Sequence, residues 1–115
     1  MPHSKQAQSY LWDMREAARD ITGLMRGVKF HEFENNKTLR LAMERLLTII
    51  GEADSHISPQ YRNQHPEVAW KNLIGFRNVL AHEYGETLLN RVWLAATVAV
   101  PELLMALLKL LPDDE

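Results

Sequence analysis

Arg77 places a permanently charged side chain where an apolar one is expected. On a helical wheel of about 100° per residue, it falls in the middle of an apolar sector. That sector is formed by Trp70, Leu73, Ile74, Leu80, Ala81 and Tyr84. A guanidinium aimed into an apolar face is costly to desolvate unless it pairs with an anion or opens into a cleft, where its planar fork can bind oxyanions. Two interpretations follow: an arginine that snorkels or pairs with a buried carboxylate, or one that lines a functional cleft.

His82 is the second candidate, because an imidazole exchanges protons in both directions near neutral pH. It follows Asn78 by about one helical turn, and the two share a sector with Lys71 and Gly75. The missing side chain at Gly75 would let another surface approach, so this sector is interpreted as a contact face. The alternative is a structural histidine that interacts with the dipole at the end of its helix.

Two amphipathic helices are predicted in the first half of the chain. Apolar residues recur at three- and four-residue intervals over residues 10–25, and again from a cap at Asn36 or Thr38 to Ala53, before Pro59. The stretch 28–36 between them has no period and is predicted to be a loop. Gly51 costs about 1 kcal/mol inside a helix, which indicates that another backbone approaches closely there.

A third helix is predicted to carry Arg77 and His82. Pro66 suits its first turn, because the missing N–H would have been unpaired there anyway, and Gly85 can end it. A break near Gly75 stays open as an alternative.

The last apolar segment runs from about Thr87 to residue 111 and should kink or split at Pro101, which lacks a backbone donor. No strand pattern or repeat is present. The sequence therefore predicts a single all-α domain over residues 1–115, an up-and-down bundle of four or five helices. Residues 1–8 and 112–115 are predicted to be flexible ends.

Composition limits the class of protein. The 115 residues carry 13 Lys and Arg against 15 Asp and Glu, a formal net charge of −2. The chain thus lacks the general positive field of non-specific nucleic-acid binders, and any such contact must be local. The longest uncharged apolar stretch, 92–100, is shorter than the ~20 residues that span a bilayer. We expect no secretion signal in the polar N-terminal segment, so the expected compartment is the cytoplasm. The absence of cysteine is compatible with a reducing compartment.

The segment around Arg77 resembles the motif of HepT-like proteins in the HEPN superfamily. That motif is an Arg, four intervening residues, a His, one further residue and a Tyr. It is matched here by Arg77, His82 and Tyr84, with Asn78 beside the Arg. The resemblance extends over most of residues 10–111 and includes the segments 41–53, 65–67 and 70–76. One departure is Glu83, where several relatives carry Gly, and it adds negative charge beside the motif.

The resemblance implies a metal-independent endoribonuclease toxin without a cofactor, which acts as a homodimer and is paired with an MNT-type nucleotidyltransferase antitoxin. His82 from each of the two subunits would serve as acid or base when a ribose 2′-OH attacks the adjacent phosphate of the RNA. Arg77 would hold the phosphate oxygens, and Asn78 would orient His82 or the phosphate. Tyr84 matches the tyrosine that the partner adenylylates. On a continued helix it lies within about 20° of Arg77 and faces the same cleft.

Other functions stay open at this stage. Glu52 and His56, at i,i+4 spacing, could be two ligands of a metal, although no third ligand is placed and a surface ion pair explains them better. The main alternative to an enzyme is a non-catalytic helical module that docks on a nucleotidyltransferase or presents its substrate. A purely structural dimerisation bundle is the third class, and it would tolerate changes at Arg77 and His82.

Overall fold

The computed structural model describes residues 2–111, and over this range the chain is helical with no strand. Four long helices and two short ones form it, which confirms the predicted all-α bundle. The long helices are α1 (Pro2–Met25), α3 (Lys37–Asp54), α5 (Trp70–His82) and a last helix made of α6 (Gly85–Leu94), a π-helical turn (Ala95–Ala99) and α7 (Val100–Leu110). The short helices are α2 (Phe30–Glu34) and α4 (Pro59–Gln64). Residues 112–115 lie outside the described part, and the flexibility of 1–8 stays a prediction.

The core forms where α1 packs against α3 and α7, and where α3 packs against α5. The apolar stripes predicted for the first two long helices supply much of it. Their buried members include Leu11, Met14, Ala18 and Ile21 on α1, and Met43, Leu47 and Ile50 on α3. Because α3 contacts both α1 and α5, it fixes the position of α5, which carries Arg77 and His82, relative to the core.

The beginning of α3 is as predicted, but the segment before it is not a simple loop. The side chain of Asn36 caps α3 by accepting the N–H of Leu39 at 3.0 Å. The predicted loop over 28–36 is partly wrong, since α2 occupies its middle. Glu32 accepts the N–H of Lys29 at 2.8 Å, and Phe33 is buried. A helix of five residues is too short to show a period, so the sequence pattern could not reveal it.

The link between α3 and α5 differs from the prediction. Pro59, rather than Pro66, lies in the first turn of a helix, the short α4. α5 starts only at Trp70, whose indole N–H donates to the carbonyl of His65 at 2.9 Å and ties the preceding turn to the helix. From there α5 runs through Gly75 without a break.

The end of α5 also differs from the prediction. α5 ends at His82, and Glu83 and Tyr84 have extended backbones. Gly85 adopts a φ of 57°, a left-handed conformation that glycine tolerates without steric cost. The glycine therefore turns the chain into α6 instead of ending α5, and α6 begins slightly before the predicted start near Thr87.

Pro101 does not split the last helix. The turn before it widens into a π-helix, in which the N–H of Val100 donates to the carbonyl of Ala95. Pro101 has no N–H to offer to Thr97, and the wider turn accommodates the ring without ending the helix. The helix is thus continuous over Gly85–Leu110, a length of 26 residues.

By length and composition alone, this last helix could cross a membrane, with a mean hydropathy of 1.7 in an 18-residue window. The sequence prediction missed this because it ended the apolar stretch at Pro101. The core helix of a globular protein passes the same test, and this helix packs against α1, α3 and α5. Only 28% of that window is buried in the single chain. Much of this helix is therefore exposed in the single chain.

Candidate active site

α3 and α5 cross at Gly51, where the side chain of Arg77 fills the space that a larger residue would need. A Cβ atom placed on Gly51 would lie 2.6 Å from Cγ of Arg77 and 3.7 Å from its backbone N. The close approach of another backbone predicted at Gly51 is confirmed in part: the backbone of Arg77 does approach, but the Arg77 side chain comes nearer. Glycine at this position lets the stem of Arg77 lie against the backbone of α3.

Arg77 and His82 line one open cleft of about 440 Å³ between α3 and α5. The full lining is Asp54, Ser55, Arg62, Arg77, Asn78, Ala81 and His82. Both Arg77 and His82 are exposed, and within the described part of the chain their side chains form no hydrogen bond or ion pair. The geometry therefore favours Arg77 as a cleft residue over an arginine that is neutralised by an ion pair.

Asp54 is a buried carboxylate in this cleft, and the sequence analysis did not single it out. Its side chain is 2% exposed, and Oδ1 lies 3.0 Å from Nη1 of Arg62. The two atoms are in ionic contact without the alignment of a hydrogen bond. Burial raises the pKa of Asp54 above its usual 3.8, whereas the charges of Arg62 and, more weakly, Arg77 lower it. Two guanidinium groups therefore act on one carboxylate.

Arg62 is fixed by several contacts. Its Nη2 donates to the backbone carbonyl of Asp54 at 2.5 Å, and its Nε donates to the carbonyl of Ile57 at 3.2 Å. The guanidinium carbon lies 5.4 Å from the centroid of a Trp70 ring, a cation–π contact. These contacts connect the end of α3, the loop after it, α4 and the start of α5. They fix one wall of the cleft.

The sequence did contain a signal for Asp54. It follows Leu47 and Ile50 on the buried face of α3, so a carboxylate interrupts an apolar stripe there in the same way that Arg77 does on α5. The predicted stripe ended at Ala53, one residue too early. Arg62 has no comparable signal, because α4 is too short for a helical period.

Asn78 and His82 lie one turn apart on α5 and both line the cleft. Lys71 and Gly75, which were predicted to share their sector, line a separate groove. Within the described residues their side chains form no hydrogen bond with each other. The prediction that Asn78 orients His82 therefore has no support in the single chain. A contact between Asn78 and the phosphate stays a prediction.

Tyr84 does not line the cleft. The prediction that it shares the stripe of Arg77 is wrong, because α5 ends at His82 and the chain is extended from Glu83 onwards. The side chain of Tyr84 is 81% exposed. Its hydroxyl is accessible just before α6.

Glu52 and His56, the two candidate metal ligands, line a separate groove with Tyr10 and Asp13. The ring of His56 stacks on that of Tyr10, with centroids 4.6 Å apart. Among the residues that the structure describes, no group of three or more potential ligands could hold a metal ion. Tyr10 and His56 therefore form a stacked pair between α1 and the loop after α3.

A second groove, largely apolar and of about 490 Å³, lies between α5 and the last helix. Lys71 and Gly75, from the predicted contact face, line one side of it. Leu94 and Val98, which are 55% and 52% exposed, line the other. A Cβ atom placed on Gly75 would meet no atom within 4 Å. This face of α5 is therefore open in the single chain.

Comparison with protein families identifies the class to which this helical fold and its cleft belong. Residues 14–110 match the family model described as ribonuclease HepT-like. The match includes all of α3 and α5, and with them both sides of the cleft. The chain therefore belongs to the HepT-like ribonuclease family, a family of RNA-cleaving enzymes.

Individual relatives agree with this assignment. A protein named putative RNase MJ1380, from Methanocaldococcus jannaschii, is 39% identical over 80 residues, which cover 70% of this chain and 73% of the relative. Putative RNase MJ1216 from the same organism is 32% identical over 108 residues, with coverages of 94% and 89%. Probable ribonuclease HepT from Thermococcus cleftensis is 31% identical over 96 residues, with coverages of 84% and 87%. No solved structure gives a significant match.

Proposed function

We propose that this ribonuclease is a metal-independent endoribonuclease in which Arg77 and His82 act together in the cleft between α3 and α5. The observation that carries the proposal is the convergence of these two side chains on one open cleft. Neither has a hydrogen bond or ion pair within the described part of the chain. An exposed cation beside an exposed imidazole is suited to bind a phosphate and to transfer protons. Family membership supports RNA as the substrate.

The proposed reaction requires both proton transfer and stabilisation of negative charge on the phosphate. The ribose 2′-oxygen attacks the adjacent phosphorus and gives its proton to a base, while an acid protonates the 5′-oxygen of the next nucleotide as its bond to phosphorus breaks. The products are a 2′,3′-cyclic phosphate and a 5′-hydroxyl, and no co-reactant is consumed. Arg77 donates to the non-bridging oxygens, where negative charge builds up. The imidazole of His82 serves as base or acid.

The reaction needs both a base and an acid, whereas one chain offers a single histidine to the cleft. We propose that His82 of a second copy of the chain supplies the second proton-transfer group, so that the enzyme is a homodimer. The apolar groove beside α5 supports this arrangement, because it is open at Gly75 and bordered by the exposed Leu94 and Val98. Covering it with the same face of a second copy removes this apolar surface from water and brings two α5 helices together.

The proposal extends to a cytoplasmic toxin–antitoxin pair with an MNT-type nucleotidyltransferase as the antitoxin. Tyr84 supports this part, since a side chain that is 81% exposed in an extended segment is accessible to a modifying enzyme. An adenylyl group on Tyr84 adds a bulky base and a phosphodiester charge two residues after His82. Because Tyr84 lies outside the cleft lining, the mode of inhibition that we propose is obstruction of RNA entry or of the facing subunit.

The test is cleavage of an RNA oligonucleotide by the purified protein in excess chelator. The wild type, His82→Ala and His31→Ala are compared, because His31 is an exposed histidine on α2 outside the cleft lining. We expect the wild type and His31→Ala to cleave and to leave 2′,3′-cyclic phosphate ends, which mass spectrometry detects. His82→Ala, and a substrate with a 2′-deoxy sugar at the cleaved position, should not react. Cleavage that stops in chelator, or that survives in folded His82→Ala, contradicts the proposal.

A non-catalytic role as the helical partner of a nucleotidyltransferase is the second candidate. The exposure of Tyr84 favours this role, because a tyrosine that only accepts a nucleotide from a partner enzyme does not have to lie in a catalytic cleft. The same assay distinguishes the two functions. A purely non-catalytic partner is adenylylated at Tyr84 and leaves the RNA oligonucleotide intact under all conditions.

A further inference from the structure

We propose that Asp54 and Arg62 are positioning residues, which hold the guanidinium of Arg77 in the orientation that phosphate binding requires. The inference rests on the proposed function of Arg77 and adds two residues that lie outside the sequence motif. Three observations carry it: the path of the Arg77 side chain, the buried charge of Asp54 and the anchoring of Arg62.

The side chain of Arg77 passes over Gly51 on the face of α3 that carries Asp54. Its Cγ and Cδ lie 2.6 and 3.5 Å from the point where a Cβ of Gly51 would stand. Asp54 follows Gly51 by three residues, so the two lie about one turn apart on the same face of the helix. Asp54 and Arg77 also line the same cleft. Gly51 therefore leaves room for the stem of Arg77 on this face of α3, so that Arg77 and Asp54 line the same cleft.

Asp54 is the one carboxylate among the residues that line the cleft, and it shares that lining with the guanidinium groups of Arg62 and Arg77. Its side chain is 2% exposed, so solvent screens its charge only weakly. Its attraction therefore acts on Arg77 as well as on Arg62, which it contacts at 3.0 Å. With Asp54 ionised, the three groups carry one net positive charge, which is opposite in sign to the charge of a phosphate.

Arg62 keeps the carboxylate from turning away. It is bound to the backbone carbonyls of Asp54 and Ile57 and stacks on Trp70, so it cannot move without breaking contacts to three elements. A buried ion pair often contributes little net stability, because desolvation offsets the attraction. The ion pair of Asp54 and Arg62 is therefore better explained by a role in orienting Arg77 than by a contribution to stability.

The pair acts on catalysis through Arg77. A guanidinium that is already oriented can bind the phosphate without first changing its conformation. A misplacement of about 1 Å can cost roughly 100-fold in rate. The charge on the non-bridging oxygens is larger in the transition state than in the bound substrate. Loss of orientation should therefore lower kcat more than it raises KM.

The experiment measures kcat and KM on a fluorogenic RNA oligonucleotide for Asp54→Asn and Arg62→Lys, each in the wild-type and the Arg77→Lys backgrounds. Asp54→Asn keeps the shape and removes the charge, whereas Arg62→Lys keeps the charge and removes the fork. Glu52→Gln is the matched control, because it converts a carboxylate to an amide on the same helix in a different groove. His82→Ala tests the proposed function separately. Rates are expressed per folded protein, with folding followed by thermal denaturation.

We expect Asp54→Asn to lower kcat roughly 10- to 100-fold and to change KM by less than about threefold. Arg62→Lys should act in the same direction with a smaller effect, and Glu52→Gln should leave both constants unchanged. In the Arg77→Lys background, Asp54→Asn should add little, because its effect passes through the guanidinium fork. A merely structural role would change the folded fraction and would not produce this non-additivity.

Two results overturn the inference: a wild-type kcat in folded Asp54→Asn, or an equal loss from Asp54→Asn in both backgrounds. If Asp54→Asn does not fold, the same two criteria are applied to Arg62→Lys. When His82→Ala abolishes cleavage and these variants do not affect it, the proposed function stands and only the positioning role fails. A wild-type protein that cleaves no RNA overturns both.

Discussion

Gly51 of α3 and Arg77 of α5 are in contact at a point where no side chain fits between them, since a Cβ on Gly51 would lie 2.6 Å from Cγ of Arg77. In Gly51→Ala the new methyl group must move the Arg77 stem or separate the helices. We expect kcat for RNA cleavage to fall roughly 10- to 100-fold. The change in the free energy of unfolding should be smaller than the change in the activation free energy of cleavage. The reason is that a gain of about 1 kcal/mol in helix propensity offsets part of the strain.

The matched control is Gly23→Ala, in a helix where an added Cβ would meet no atom within 4 Å. It should raise the free energy of unfolding by up to about 1 kcal/mol and leave kcat unchanged. Steady-state kinetics and urea denaturation measure the two quantities. An unchanged kcat in Gly51→Ala would show that this crossing does not set the position of Arg77.

Gly75→Ala tests whether the apolar groove is the dimer interface. In one chain the added methyl meets nothing within 4 Å, so the fold should be as stable as that of the wild type or slightly more stable. In a dimer closed over Gly75 the methyl is overpacked, and the dimer dissociation constant should rise roughly tenfold. Sedimentation over a concentration series gives this constant. A dimer that is unaffected by Gly75→Ala, and by Leu94→Ser on the other side of the groove, uses another face.

The raised pKa of Asp54 predicts a pH dependence of stability. Between the usual pKa of 3.8 and the higher value in the folded state, the folded chain binds more protons than the unfolded chain. The free energy of unfolding therefore falls as pH rises through this window. Asp54→Asn lacks this titration, so the wild type should lose stability relative to the variant as pH rises from 3.8 through the raised pKa of Asp54. Urea denaturation across this range measures the difference, and the opposite slope would mean that the attraction of Arg62 outweighs burial.

Tyr84→Phe tests the proposed modification site. The side chain is 81% exposed and forms no hydrogen bond within the described part of the chain. Loss of the hydroxyl should thus change the free energy of unfolding by less than about 0.5 kcal/mol and leave RNA cleavage intact. After incubation with the cognate nucleotidyltransferase, ATP and Mg²⁺, intact-mass spectrometry should find an adenylyl group on the wild type alone. An equal mass gain on Tyr84→Phe would place the modification elsewhere.

The parts of the fold that follow a long hydrophobic period could be predicted from the sequence. α1 and α3 carry apolar stripes over several turns, and the cap at Asn36 and the close approach at Gly51 are local signals with a direct physical meaning. The end of α5 could not be predicted in this way. Gly85 is compatible with ending one helix or turning the chain into the next, and only its φ of 57° beside an extended Tyr84 decides between them.

The candidate site could be predicted in part. Arg77 and His82 are marked by type and spacing, but their meeting with Asp54 and Arg62 depends on the crossing of α3 and α5 and on the fold of a short helix. Asp54 does interrupt the apolar stripe of α3, but the sequence does not show that it faces the same cleft as Arg77, and α4 is too short for a helical period. The shared stripe of Arg77 and Tyr84 was wrong for a related reason, since a helical wheel assumes that the helix continues.

The rates of RNA cleavage by Arg77→Ala and His82→Ala in excess chelator, beside those of the wild type and His31→Ala, test the central claim most directly. We predict a loss of roughly 10²- to 10⁴-fold for each of the first two variants, because they remove the phosphate-binding cation and the proton-transfer group. Circular dichroism and sedimentation should show an unchanged fold and dimer, and growth inhibition should be lost in parallel. A folded, dimeric His82→Ala protein that cleaves RNA as fast as the wild type would contradict the assignment of this cleft as the active site.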